Sequence, residues 1–112
     1  MADFRVKYRF YTPEEGGRKT LPFQGYRSDY WYPLSTHSEY RAFIIHPEFE
    51  DEKGEVITDL NQSVAQSGTA AMQIINPDMK PYHKGKIQVG MIGYFMEGDR
   101  KVAICEVIEV NL

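Results

Sequence analysis

One thiol, three imidazoles and a run of carboxylates are the side chains with which this 112-residue chain could do chemistry. Cys105 sits in the alternating apolar stretch KVAICEVIEV, where a thiol behaves as a small buried hydrophobe and no base lies nearby in sequence to activate it. His37, His46 and His83 are too far apart for a local metal pair such as H-x-x-x-H, and no carboxylate or cysteine falls at ligand spacing, so they read as surface or loop histidines. Glu48, Glu50, Asp51 and Glu52 lack the D-x-[DN]-x-[DN]-G order of a calcium loop and read as a solvated acidic segment. No G-x-x-x-x-G-K-[ST] segment is present to cradle a phosphate, and no serine stands in a G-x-S-x-G elbow. Nothing here points to catalysis, and no metal or other cofactor is implied.

Two features remain that suit binding. Tyr26, Tyr30, Trp31 and Tyr32 stand beside Arg18, Lys19 and Arg27 in sequence, a mixture that can stack on bases or grip a protein through large rigid side chains. The same aromatics alternate, so they can equally line the interior of a β structure. The charged segment Glu97–Gly98–Asp99–Arg100 reads as an exposed hairpin connection.

The elements that must position these residues are strands. Phe4, Val6, Tyr8 and Phe10 alternate with Arg5, Lys7 and Arg9, the period of two that turns one face to a core and the other to water. TPEEGGRKTLPFQGYR, with its glycines and prolines, predicts a long ordered loop. Tyr30, Trp31, Tyr32 and Leu34 predict an aromatic strand ended by Pro33 or just after it. YRAFIIHP, apolar on both faces, predicts a strand covered from both sides or lying near a barrel seam, and ended by Pro47. EFEDEKGEV predicts a solvated hairpin loop leading to a short strand at Val56 and Ile57. DLNQSVAQS is ambiguous: Leu60 and Val64 are spaced for one helical turn, with Thr58 or Asp59 as cap. TAAMQIIN follows as a strand and NPDMKPYHKGK as a turn-rich stretch. Met91 to Met96 and Lys101 to Val110 then predict a terminal hairpin joined by a four-residue turn.

About six short strands and no long helix predict an all-β, single-domain fold over residues 1–112, a small antiparallel barrel or sandwich. Hydrophobic residues at 42% and charged residues at 26% support one ordinary core. The net charge of −3 argues against a protein whose main task is neutralising nucleic-acid phosphates, although a local basic patch is compatible with it. A single cysteine fits a reducing compartment, and the N-terminus MADFRVKYRF is no signal-peptide core, so a cytoplasmic protein with no membrane segment is expected.

The stretch FRVKYRFYTPEEGGRKTLPFQGYRSDYWY resembles the opening of the third, C-terminal domain of translation elongation factor Tu, a strand followed by EEGGRxT, a Pro/Phe step and GYRPQFYF. Glu14, Glu15, Gly16, Gly17, Arg18, Thr20, Phe23, Gly25, Tyr26 and Arg27 stand in the order and spacing of that family. Near the C-terminus, YFMEGDRKVAICEVI is similar to the family's FAIREGGRTVGAGVV through Glu97, Gly98, Arg100 and Val102. The centre departs: residues 35–63 are longer than the family's connection, Ser28 and Asp29 replace Pro-Gln, and Met96 replaces an arginine. The resemblance implies a closed six-stranded β-barrel that does no chemistry, needs no nucleotide cofactor and has no GTPase domain within these 112 residues. As a free-standing copy it would be a binding module for tRNA or a translation-associated protein. It places Asp29, Glu97 and Gly98 as RNA-facing positions and Arg18 and Arg27 as phosphate contacts. The aromatic strand at Tyr30 and Trp31 is the alternative surface, for a protein partner or a second copy with no translational role.

Overall fold

The computed structural model describes residues 2–33 and 42–112. Its frame is one six-stranded antiparallel sheet, curled into a half-barrel. The strands are β1 (Phe4–Phe10), β2 (Asp29–Trp31), β3 (Ile45–Phe49), β4 (Ser67–Ile74), β5 (Ile92–Glu97) and β6 (Arg100–Val110), in the order β2-β5-β6-β1-β4-β3. The two outermost members meet: Tyr30 of β2 and Phe43, just ahead of β3, exchange backbone hydrogen bonds of 2.9 and 2.8 Å.

β1 follows its alternation. Phe4, Val6, Tyr8 and Phe10 are buried, while Arg5, Lys7 and Arg9 look outward. The inner face continues through Tyr30, Phe49, Met72, Phe95 and Val107. Ring contacts among Tyr8, Phe10, Phe49 and Phe95 at 5.2–6.2 Å tie strands that are distant in the order. Gly93 makes room for this packing, since a Cβ there would lie 2.1 Å from the Tyr30 hydroxyl.

Several expectations change in detail. Pro47 lies inside β3 instead of ending it. Glu50 donates to Thr69 and Ile75 donates to Ile44, so the even-numbered residues of this segment face β4 and Pro47 points its missing N–H away from the ladder. The third strand is also one-faced: Phe43 and Ile45 are buried, but Ile44 is 58% exposed. Leu34 and the start of that segment at Tyr40 and Arg41 lie outside the described residues, as does His37.

Residues 59–66 form turns and a single bridge from Ser63 to Phe23 without a helix, and Val56 makes a single bridge to Glu50 in place of a short strand. The turn-rich stretch carries a 3-10 turn (Pro77–Met79) running into one α-helical turn, α1 (Lys80–His83). The terminal hairpin is tighter than four residues. Glu97 pairs with Arg100, leaving Gly98 (φ 63°) and Asp99 as a two-residue loop of the type II′ kind, whose twist suits paired strands.

Candidate functional site

The loop between β1 and β2 is ordered by local chemistry. Thr12 and Glu15 form a capping box around the 3-10 turn Pro13–Glu15, and Arg9 grips the Glu15 carboxylate at 2.9 Å. Hydrogen bonds from Arg9 and from the Thr12 backbone hold the Glu15 carboxyl down at about 2. Gly17 passes so close to Tyr11 that a Cβ would lie 2.2 Å from its carbonyl oxygen, which accounts for the second glycine of the EEGGR segment. The chain leaving this turn places Arg18 against the terminal hairpin.

There the distant motifs converge. Arg18 Nη1 and the Tyr26 hydroxyl both donate to Glu97 Oε2, Arg100 Nη2 donates to Glu97 Oε1 at 3.1 Å, and the Arg18 guanidinium lies 5.0 Å from the Tyr26 ring centre. Burial works to raise the Glu97 carboxyl, but hydrogen bonds from Tyr26 and Arg18 outweigh it and hold the group below the usual carboxylate range. Burial, followed by the hydrogen bond to Glu97, raises the Tyr26 phenol, so this group is a neutral donor at any ordinary pH. A cleft of about 350 Å³ opens beside the cluster, lined by Arg18, Lys19, Thr20, Glu97 and Arg100. Arg18 and Arg100 are half spent on Glu97, and Lys19 adds an exposed charge at the rim.

The remaining candidates separate. Arg27 is exposed on the same loop and its side chain makes no ion pair with the described residues. Gly98 forms the exposed tip of the hairpin, and Asp29 pairs with Met96 across β2 and β5. Tyr30 is wholly buried, so it belongs to the core and offers nothing to a partner. Its neighbour Trp31 points outward, stacks on Tyr94 at 5.9 Å, and shares with it the Lys101 ammonium, 4.2 Å from the Tyr94 ring centre and 5.2 Å from that of Trp31. Alternation therefore splits the aromatic strand into an inward Tyr30 and an outward Trp31.

Of the side chains with chemical potential, Cys105 is buried, which pushes its thiol well up. His83 is a correction: it is fully buried, its Nδ1 2.7 Å from the Tyr32 hydroxyl and its ring edge-on to Phe43 at 4.6 Å, because α1 lays it against the core. His46 donates from Nδ1 to the Ser28 carbonyl at 3.2 Å. In the acidic segment, Glu50 is buried instead of solvated. Arg5 donates to it at 2.8 and 3.1 Å and Thr69 Oγ1 at 2.7 Å, on the floor of a groove of about 1000 Å³ under residues 51–65. Among the described residues, no three His, Cys, Asp or Glu side chains converge as a metal cage would require.

Sequence reasoning missed two anchoring side chains. The Gln24 amide accepts from Phe49 N–H at 2.8 Å and donates to the Phe49 and Ile57 carbonyls at 2.9 and 2.7 Å, standing in for a strand beside β3. Asp3 accepts from Ile74 N–H at 2.8 Å and pairs with Lys80 at 3.2 Å. No local pattern marks either residue. No protein-family model matches the chain, and no curated protein matches it.

Proposed function

We propose that the chain is a non-enzymatic binding module of the elongation factor Tu third-domain type, a closed β-barrel that engages RNA or protein of the translation apparatus at its hairpin end. The observation that carries this reading is the Arg18–Tyr26–Glu97–Arg100 cluster. It joins the EEGGR, GYR and EGDR segments, the three pieces on which the resemblance rests, across 71 and 79 positions of sequence. The seam between Tyr30 and Phe43 supports closure of the barrel. Lys19, Arg27 and the cleft beside Glu97 supply the phosphate-facing surface.

The test is filter binding to aminoacyl-tRNA with salt varied. The expected result is measurable affinity that falls as salt rises, with the slope reduced by about one for each of Lys19→Ala and Arg27→Ala that contacts a phosphate. Affinity no better than millimolar, with no salt slope, removes the RNA branch.

A second reading, a protein-docking barrel with no translational role, is favoured by the Trp31–Tyr94–Lys101 stack on the outer face. Tryptophan and tyrosine are residue types that anchor protein interfaces. Trp31→Ala is then expected to abolish recovery of a cellular partner with the fold intact.

A further inference from the structure

We infer that the outer face around Trp31 and Tyr94 is a self-association surface whose occupant is the acidic loop 51–60 of a second copy of this chain. This rests on the second reading above, that the Trp31 face docks protein. Pairing registers place Arg9, Ile104, Tyr94 and Trp31 side by side across β1, β6, β5 and β2, a continuous row on the outside of the sheet. Ile92, 39% exposed, borders this row, and Lys101 lies over its aromatic end. Lys101 forms no ion pair with the described residues, and its exposed ammonium lies over the two ring faces.

The complementary surface lies on the same chain. Residues 48–59 hold six of the sixteen acids and one of the thirteen lysines and arginines, a net −5, so the remainder is +2 in a chain of −3. Within the loop, Asp51 and Asp59 spend their carboxylates on the loop's own N–H groups. Glu52 and Glu55 are exposed and form no ion pair with the described residues. Val56 and Leu60 stand beside them at 42% and 64% exposure. An acidic loop with apolar tips thus matches an aromatic face whose lysine has no carboxylate partner among the described residues, in charge and in polarity. The loop follows β3 while the face is built on β2, β5 and β6, so the two patches differ and a contact between copies through them is heterologous.

Sedimentation velocity over rising protein concentration, in low and high salt, tests this, with emission of the single tryptophan as a second readout. The wild-type mass is expected to grow with concentration at low salt, with a blue shift of Trp31, and to fall back to monomer at high salt. Lys101→Glu and the double variant Glu52→Lys/Glu55→Lys should each lower the association constant about tenfold or more, and mixing the two should restore it. Unchanged thermal melting shows that each variant is folded. A wild type that stays monomeric at low salt, or association indifferent to both reversals, overturns the proposal. A monomeric wild type whose capture of another protein depends on Trp31 overturns self-association alone and leaves the docking reading standing. Capture indifferent to Trp31→Ala removes that reading instead.

Discussion

Glu97 is the residue on which the candidate site turns, because one carboxylate receives Arg18, Tyr26 and Arg100 at once. Glu97→Gln keeps the shape but removes the charge, and is expected to cost about 1–2 kcal/mol in a denaturant titration. Since the native carboxyl is held low, its stabilisation is fully present above the ordinary carboxylate range and is lost as pH falls through the depressed native value. Wild-type stability should therefore drop more steeply than that of Glu97→Gln below about pH 4. Tyr30 makes the opposite case. Its hydroxyl is buried with no hydrogen-bond partner among the described residues, so Tyr30→Phe is expected to be neutral or slightly stabilising by the same titration. The Cys105 thiol, buried and with its ionisation pushed up, should stay silent to a disulfide reagent in the native protein and react on unfolding.

At the scale of elements, the edge of β3 shows how a side chain replaces a strand. Gln24 satisfies Phe49 on both its N–H and its C=O, so Gln24→Ala leaves backbone groups without partners and should cost about 1–3 kcal/mol in chemical unfolding. Pro47 on that strand costs the ladder nothing, because its position faces away from β4. β1 was legible from its strict alternation, and the β5–β6 hairpin from apolar runs flanking a glycine turn, although Phe95–Met96 and Val102–Ala103 break the period where the register shifts. β3 was legible as a strand and wrong in extent, because only the register with β4 tells which proline is harmless. His83 was misplaced for a similar reason: no periodicity across KPYH reveals that a single helical turn lies against Tyr32 and Phe43.

For the whole molecule, the distribution of charge matters more than its sum. The net −3 conceals an acidic segment at 48–59 and a mildly basic remainder that includes Arg18, Lys19, Arg27, Arg100 and Lys101. A modest overall negative charge is therefore compatible with a partner recognised by cations at one end of the sheet. No helix among the described residues is long and apolar enough to cross a membrane. The proposed tRNA affinity and the proposed self-association also separate cleanly, because the first depends on Lys19 and Arg27 and the second on Lys101 with Glu52 and Glu55.

Sequence by itself determined the strand-rich character, the inward and outward sides of β1, the terminal hairpin, and the EEGGR and EGDR segments, because each is written in residues within one element's reach. Only the tertiary structure decided that Arg18 and Glu97 are partners, that Tyr30 is core while Trp31 is surface, and that Glu50 lies buried under Arg5. The physical reason is register: the pairing of β1 with β6 and of β2 with β5 sets which distant side chains share a face, and local periodicity carries no record of that pairing.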